Sequence, residues 1–448
     1  MGKLRSVLSL FVCLAALTLP AAAGASGELD SLFDGKAAPE KPASPLLDPA
    51  RTQPPAVGEL GGLDNRSWVT ISADDSHQRG KLADLGMSIE EVRTGVVAGI
   101  VDPESLKKIE AAGFQVQSRR LLASFGPEDF PAQDSAYHNY AETVAELRSI
   151  AGSASDVATL FSLGKSIQGR DLLGVRFNKG SGAKPGILFM GDHHAREHLT
   201  VEVTLGLARY LADNRAHPAI KSLLEKRDIY FVPMVNPDGA EYDVETGRYR
   251  WHRKNMRQNA DGSFGVDLNR NYGYTWSDVG SSDDPGDDTY HGPNAFSEPE
   301  SRAVRDFIVS HPDVRIMVSY HSYGAMVLYP WGHIYDPVPD ARAAAAFKTM
   351  AQRMGQMTGY EAMQSSELYP AAGDTCDWAW GERQVFCFTF ELSGRGFYPG
   401  AEEIGKALEA NVEPAVYMIG LSDDPYRAAS AAVASLPARR TSPIEPVR

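Results

Sequence analysis

Short apolar runs alternate with amphipathic stretches between residues 137 and 421. The apolar runs predict strands, and the stretches with apolar residues at helical spacing predict helices. This alternation predicts an α/β fold with a mixed, mostly parallel central sheet and helices on both faces, in which loops at the strand ends carry the chemistry. The predicted strands are 186–191, 230–235, 316–320, 326–329 and 385–392, and the predicted helices are 201–214, 342–355 and 401–419.

A smaller unit precedes this region, at residues 66–120. Asp102 is the expected N-cap of its second helix, and Gly113 is the residue expected to end that helix. The basic pair Arg119-Arg120 follows, either as a site for a trypsin-like protease or as an ordinary solvated pair. The order of a ferredoxin-like α+β unit is predicted from strands at 68–71, 89–92, 96–101 and 114–116 and helices at 78–85 and 103–112.

The first 25 residues have the three-part form of a secretory signal. Lys3 and Arg5 precede an apolar run at 7–19, which is too short for a transmembrane helix, and small residues follow. We therefore expect a secreted protein, extracellular or periplasmic, cleaved after Ala23 or Ala25. Composition predicts a Pro/Ala-rich linker at 26–65, an activation linker at 121–136 and a disordered tail at 425–448.

Composition adds a limit on partners. The 448 residues include 44 Lys and Arg against 58 Asp and Glu, a formal net charge of −14, with 43% hydrophobic residues. The hydrophobic fraction is that of a globular protein. The acidic balance argues against nucleic acid or an anionic membrane as the main partner. We expect a monomer without stable membrane association.

The clearest chemical motif is Asp192-His193-His194-Ala195-Arg196-Glu197-His198, directly after a predicted strand. His194 and Glu197 offer an imidazole and a carboxylate to one zinc ion, and a catalytic zinc needs a third protein ligand. His321, at the end of another predicted strand, is the best candidate. Two other interpretations stay open here: a helical motif in which His194 and His198 bind the metal and Glu197 is the base, and histidines that only solvate a loop.

Further motifs follow in one order along the chain. They are 235–239 (VNPDG), 250–255 (RWHRKN), 265–271 (GVDLNRN), 290–293 (YHGP), 321–323 (HSY), 369–374 (YPAAGD) and 388–392 (FTFEL). With His194-x-x-Glu197, they make residues 137–419 resemble the zinc metallocarboxypeptidases of the pancreatic carboxypeptidase A/B type, including the bacterial secreted, carboxypeptidase T-like branch. Several separated motifs in one order are far more specific than one short motif. The carboxypeptidase domain is expected at 137–424.

The resemblance implies that His194, Glu197 and His321 hold one Zn²⁺ and leave a position for water. A bound zinc lowers the pKa of that water from 15.7 to roughly 7. The resemblance also implies that Asp267 accepts the second N–H of the first histidine and fixes its tautomer.

Two further residues receive catalytic roles from the resemblance. Glu391 is the implied general base, and its position late in an apolar strand predicts burial and a raised pKa. Arg253 is the implied donor to the oxyanion. An extra residue, Met256, in this segment leaves Arg250 and Arg257 as substitutes for Arg253.

An exopeptidase must recognise a free C-terminal carboxylate, which suits a guanidinium and a neutral amide. By resemblance, these are Arg270 and Asn269. Tyr369 is the implied phenol that closes over the substrate, and Arg196 the implied contact one residue upstream. Tyr323 either lines the same cleft or lies in the core.

The pocket for the terminal side chain is predicted around Asp374 and Cys376. Asp374 either pairs with a terminal Lys or Arg or only caps the turn at Gly373. Cys376 stands at the position that decides basic preference in the family, so mixed hydrophobic and basic specificity is expected. Strand alternation points Cys387 towards this pocket, and export motivates the hypothesis of a Cys376–Cys387 disulfide.

An acidic loop offers oxygen ligands that suit Ca²⁺, although its spacing matches no EF-hand and a solvated loop is favoured. Its members are Asp278, Asp283, Asp284, Asp287 and Asp288.

The sequence therefore predicts a carboxypeptidase zymogen that acts on peptide or protein C-termini. A pro-domain covers the cleft until an activating protease cuts between residues 117 and 133. Two alternatives stay open. One is a peptidoglycan peptidase or amidase on the same fold, and the other is an inactive homologue that only binds peptides.

Overall fold

The structure is a computed structural model that describes residues 66–121 and 130–429. The predicted signal at 1–25, the linker at 26–65, half of the activation linker (122–129) and most of the tail (430–448) lie outside the described residues. None of the helices in these two described ranges is long and apolar enough to cross a membrane.

Residues 66–121 form a four-stranded antiparallel sheet with two helices, in the predicted β-α-β-β-α-β order and with the strand order β2-β3-β1-β4. Asp102 caps α2 as expected, because its Oδ1 accepts hydrogen bonds from two backbone N–H groups of the first turn. The elements are β1 Ser67–Ser72, α1 Ser76–Asp84, β2 Ser88–Arg93, β3 Val96–Val101, α2 Pro103–Ala111 and β4 Val116–Leu121. We call residues 66–121 the N-terminal unit.

The last strand of this unit differs from the prediction. The predicted strand 114–116 is in fact β4, which begins at Val116 and continues to Leu121. Arg119 and Arg120 therefore lie inside an edge strand, opposite β1. Pairing with β1 imposes the extended conformation on a polar stretch that has no apolar run of its own.

The second region contains an eight-stranded mixed sheet in the order β11-β10-β12-β9-β7-β8-β6-β5. The inner strands β12, β9, β7 and β8 are parallel neighbours, and β10, β6 and β5 add the antiparallel pairs. The strands are β5 Ala158–Lys165, β6 Asp171–Phe177, β7 Gly186–Met190, β8 Asp228–Val232, β9 Val314–Ser322, β10 Met326–Tyr329, β11 Glu361–Gln364 and β12 Phe386–Leu392.

Helices pack around this sheet and bury its inner strands. The predicted mixed sheet with flanking helices is therefore confirmed. The helices are α3 Tyr140–Ser153, α4 Leu199–Asp213, α5 Pro218–Lys226, α6 Pro237–Val244, α7 Pro299–Ser310, α8 Ala341–Thr358, α9 Ser365–Leu368, α10 Thr375–Arg383 and α11 Glu402–Leu421, with 3₁₀ turns at Ala132–Asp134, Leu268–Arg270 and Pro425–Ala429.

The strand prediction misplaced one element and missed others. The strand predicted at 230–235 is β8, which begins at Asp228 and ends at Val232. The hairpin β5–β6 was not predicted: β5 is largely exposed although it contains apolar residues, and β6 is interrupted by Gly174 and Arg176. The strands that carry His321 and Glu391, and the strand directly before the loop with His194 and Glu197, were predicted, since β9, β12 and β7 form the buried centre of the sheet.

Candidate metal centre

The loop after β7 carries two of the predicted ligands. His194 and Glu197 lie in a non-helical turn before α4, and His194 Nδ1 is 2.7 Å from Glu197 Oε1. His198 instead faces α6, where its Nε2 is 2.9 Å from Asp243 Oδ2. The helical motif with His198 as a ligand is therefore excluded.

The parallel strand β9 brings the third predicted ligand to the same sheet edge. His321 Nδ1 is 3.1 Å from His194 Nδ1 and 3.0 Å from Glu197 Oε2. Within the described ranges, this is the one group of three or more His, Cys, Asp or Glu side chains whose ligand atoms converge. Two imidazoles and one carboxylate, all buried, make a donor set that fits a catalytic zinc with an open position.

A protein group lies beside the outer nitrogen of each imidazole. His321 Nε2 is 2.9 Å from Ser319 Oγ, within hydrogen-bond distance, and His194 Nε2 is 3.3 Å from Asp267 Oδ1, at ion-pair distance without a hydrogen bond. Burial lowers the pKa of His321, which favours the neutral ring that a metal ligand requires. Both rings therefore present Nδ1 to the centre and are oriented through Nε2.

Glu391 lies beside the converging ligands. The parallel pairing of β12 with β9 sets Glu391 opposite His321. Burial, followed by the negative charges of Glu197 and Glu90, raises the pKa of Glu391 well above its ordinary value. A carboxyl group with a raised pKa can accept and return a proton near neutral pH.

Asp267 connects the first histidine to a buried guanidinium. Arg253 is 4% exposed, and its Nε donates to Asp267 Oδ2 at 2.9 Å. The two substitutes bind elsewhere: Arg250 donates to a carbonyl of α6, and Arg257 to a buried carboxylate at the start of α7. Arg253 is therefore the arginine of this segment that lies at the candidate centre.

Arg270 and Asn269 lie together in the 3₁₀ turn that follows Asp267. Arg270 is buried, and its Nη2 donates to the Tyr369 hydroxyl at 3.4 Å. Asn269 Oδ1 accepts from the backbone N–H and the hydroxyl of Thr375, at 3.0 and 2.9 Å. The guanidinium, amide and phenol that the resemblance assigns to the substrate carboxylate are therefore neighbours.

Asp374 caps α10 with one oxygen only. Its Oδ1 accepts from the backbone N–H groups of Cys376 and Asp377, at 2.8 and 3.0 Å. Its Oδ2 is buried and has no hydrogen-bond partner in the described part of the chain. Burial, followed by the charge of Asp377, raises the pKa of Asp374 to about 7. Asp374 can therefore cap the helix with Oδ1 and still offer Oδ2 to a basic terminal side chain.

The turn before Asp374 needs a glycine. Gly373 has φ of 73°, and a Cβ there would lie 2.4 Å from the carbonyl oxygen of Arg270. Any larger residue would push the pocket loop away from the predicted carboxylate-binding turn.

A disulfide joins Cys376 to Cys387, as hypothesised from the sequence. Both residues are buried. The bond ties α10, which Asp374 caps, to β12, which carries Glu391.

The N-terminal unit covers the predicted substrate-binding residues. Arg196 Nη2 contacts Glu90 of β2, and the Tyr323 hydroxyl is 3.4 Å from Glu91 Oε2. Tyr369 packs against the apolar core of the unit. Tyr323 thus faces the covered cleft, and a strand of the N-terminal unit lies where the resemblance expects a substrate.

The acidic loop is engaged by neighbouring side chains. Its carboxylates belong to no converging metal-ligand group in residues 66–121 and 130–429, so the calcium prediction gains no support. Asp288 binds Arg66 and Arg196, Asp287 accepts from the Ser105 hydroxyl at 2.5 Å, and Asp284 lies 3.7 Å from Lys108 Nζ.

Sequence reasoning missed some residues of the centre. His193 Nδ1 is 3.2 Å from Ser319 Oγ, and its Nε2 is 3.0 Å from the Tyr272 hydroxyl. Ser319 could have been found, because it lies two residues before His321 on the same face of a strand. No sequence signal marks Glu90, which reaches the cleft only through tertiary docking.

Comparisons with known proteins agree with this geometry. The profile of the zinc carboxypeptidase family matches residues 143–414. A zinc carboxypeptidase of Saccharothrix mutabilis subsp. capreolus is 32% identical over 388 residues, which cover 80% of this chain and 89% of that protein. Carboxypeptidase B of Astacus astacus is 34% identical over 272 residues, which cover 59% and 88% of the two chains.

Solved structures share the fold. Carboxypeptidase A from Helicoverpa armigera superimposes with a TM-score of 0.66 at 24% identity, over 83% of this chain and 99% of that chain. The profile match spans more than half of the chain and includes all three converging ligands. The chain therefore belongs to the zinc carboxypeptidase family, hydrolases that act on C-terminal peptide bonds.

Proposed function

We propose that this chain is an exported zinc carboxypeptidase, made as a precursor, that removes C-terminal residues from peptides or proteins. One observation carries the proposal: the converging ligands, Glu391 and the Arg270–Asn269 pair share one cleft. Glu391 pairs in register with His321, Asp267 links Arg253 to His194, and Arg270 follows Asp267 in the same short turn.

His194, Glu197 and His321 would hold the zinc. When bound, zinc supplies a water of lowered pKa and polarises the scissile carbonyl. Glu391 takes the proton of the attacking water and delivers it to the departing amine. Arg253, held by Asp267, stabilises the negative charge that develops on the carbonyl oxygen.

The exopeptidase character rests on recognition of the terminal carboxylate. The Arg270 fork binds the carboxylate, and the Asn269 amide completes the site. Tyr369 already touches Arg270 and closes over the bound residue. A substrate without a free C-terminal carboxylate would leave the buried Arg270 without its anion, which is unfavourable.

The pocket favours apolar and basic terminal residues. The Cys376–Cys387 disulfide beside the pocket is apolar. The buried Asp374 Oδ2 has no hydrogen-bond partner in the described residues. A terminal Lys or Arg offers the cation that this oxygen lacks, so mixed specificity follows.

The N-terminal unit acts as an inhibitory pro-domain. Glu90 occupies Arg196, and its charge also contributes to the raised pKa of Glu391. Both effects end when the unit leaves. The unit can leave after cleavage in the segment between residues 117 and 133.

Two observations support export of the protein. The N-terminus has the form of a secretory signal, and the Cys376–Cys387 disulfide suits an oxidising compartment.

The proposal is tested by mass spectrometry of a peptide library incubated with the trypsin-treated full-length protein, after trypsin has been inhibited. We expect loss of single C-terminal residues, abolished by a chelator and restored by zinc. C-terminally amidated copies of the same peptides should be resistant. Internal cleavage, equal cleavage of amidated peptides, or full activity in chelator would contradict the proposal.

A further inference from the structure

The N-terminal unit places a guanidinium on a buried carboxylate beside the cleft. Arg66 Nη1 is 2.7 Å from Asp288 Oδ1, and Arg66 Nη2 donates to the carbonyl of Arg250 at 3.3 Å. The Asp288 side chain is only 4% exposed. Its other oxygen accepts from Arg196 Nη1 at 2.9 Å. Asp288 therefore links a residue of the proposed cleft to a cation supplied by the N-terminal unit.

These contacts continue outward from the reaction centre. Glu90 contacts Arg196, which contacts Asp288 in turn. Asp288 then binds Arg66. Arg196 is the implied contact for the residue one position upstream, and Asp288 lies directly behind it, where Arg66 of the N-terminal unit covers it. We therefore infer that Asp288 faces residues further upstream.

Other features of the structure suit a long basic side chain at this place. The ring of Trp251 lies 5.6 Å from the ring of Trp68 in the N-terminal unit, so departure of the unit uncovers an indole. Such a ring can pack against an aliphatic stem or a guanidinium. Lys254 does not substitute for the missing cation by hydrogen bonding, because its Nζ donates to the carbonyls of Pro285 and Asp287 at 2.6 and 2.8 Å.

A buried carboxylate that loses one of its two hydrogen-bonded cations is unfavourable until another cation binds. We propose that removal of the N-terminal unit opens a subsite in which Asp288 Oδ1 and the Arg250 carbonyl bind a Lys or Arg side chain of the substrate, upstream of the residue held by Arg196. This inference rests on the proposed function, in particular on release of the N-terminal unit. Arg66 occupies the subsite in the precursor as a substrate side chain does in the released enzyme.

The test is a position scan with synthetic peptides. Each peptide ends in Leu and has alanine elsewhere, except for Arg, Gln or Glu at the second, third or fourth residue upstream of the scissile bond. The full-length chain is cleaved with trypsin, trypsin is inhibited, and kcat/KM is measured for each peptide. At one position, we expect Arg to exceed Gln by about ten- to a hundredfold, the range for hydrogen bonds to a charged group.

Asp288→Asn should reduce the Arg-to-Gln ratio at that position to about one. Asp283→Asn removes the same charge from an exposed position of the same loop and should leave the ratio unchanged. The Gln peptide is an internal control, since it also reports any shift of Arg196 caused by D288N.

The outcomes separate the two proposals. Cleavage of all peptides at equal rates by the wild-type enzyme would contradict the subsite proposal and still support the proposed carboxypeptidase activity. This comparison needs no variant. An Arg preference that survives D288N, or that D283N removes equally, also overturns the subsite. Failure to cleave any peptide removes the proposed function and the subsite with it.

Discussion

At the scale of single residues, Glu391 separates an enzyme from a homologue that only binds peptides. A binding site needs Arg270 for the carboxylate but no proton acceptor. We expect Glu391→Gln to lower kcat by about 10²–10⁴-fold, the usual contribution of a general base. Peptide binding, measured by calorimetry, should be retained. Unchanged turnover would show that another group accepts the proton.

Asp374 is the residue on which we propose that the preference for a basic terminal residue depends. Asparagine is as good an N-cap as aspartate, so Asp374→Asn keeps α10 capped and removes only the charge. We expect kcat/KM for C-terminal Lys or Arg to fall by about tenfold or more relative to C-terminal Leu.

The pH dependence gives an independent check of the same residue. Because the pKa of Asp374 is raised to about 7, its carboxyl is neutral in acid and ionises as the pH rises. The wild-type preference for Lys over Leu should therefore increase between pH 6 and 8, and the variant ratio should stay flat. An equally steep profile in the variant would assign the preference to another group.

At the scale of elements, the sequence predicted the strands that are marked by apolar runs. It missed strands whose conformation depends on pairing with a neighbouring strand. The strand 326–329 was placed correctly, because its apolar run is bounded by Gly324 and Pro330. Strands β4 and β5 are polar or largely exposed, and they take their conformation from pairing with β1 and β6. The three metal ligands were predictable from the order of the motifs. The contact between Glu90 and Arg196 was not, because it joins positions 106 residues apart and exists only when the two regions are docked.

We expect the contact between α2 and the acidic loop to make docking of the N-terminal unit sensitive to pH. Asp287 accepts from the Ser105 hydroxyl and from Ser282, and Asp102 lies against it. Burial, followed by Asp102, raises the pKa of Asp287 to about 7. The docked state therefore binds the proton more tightly than the separated state, whose carboxyl has a pKa near 3.9.

Docking should consequently weaken as the pH rises from about 4 to 7 and stay weak above that. The activity of the intact precursor, divided by that of the cleaved enzyme at the same pH, should rise over this interval. In Asp287→Asn, the ratio should lose that rise. A wild-type ratio that is flat, or that falls with pH, would contradict the docking model.

At the scale of the whole molecule, the proposed inhibition by the N-terminal unit depends on Glu90, which joins the unit to Arg196. Glu90 brings a negative charge to Arg196 and close to Glu391, where an anionic carboxylate is disfavoured by its neighbours. We expect the intact precursor to have a few per cent or less of the activity of the cleaved enzyme on a short peptide. Glu90→Gln should raise that residual activity about tenfold, because a charge-assisted contact contributes roughly 1.5–3 kcal/mol.

The control is Glu110→Gln, which makes the same change at an exposed position of α2 and should leave the precursor inactive. Thermal unfolding of both variants shows whether the N-terminal unit still folds. It distinguishes weaker contact of a folded unit with the cleft from unfolding of the unit. Because Arg66 and Ser105 still anchor the unit in Glu90→Gln, cleavage should raise the activity further. A wild-type precursor that is fully active before cleavage would show that the unit does not block the cleft in solution. The proposed inhibition would then be wrong, whereas the proposed metal centre would be unaffected.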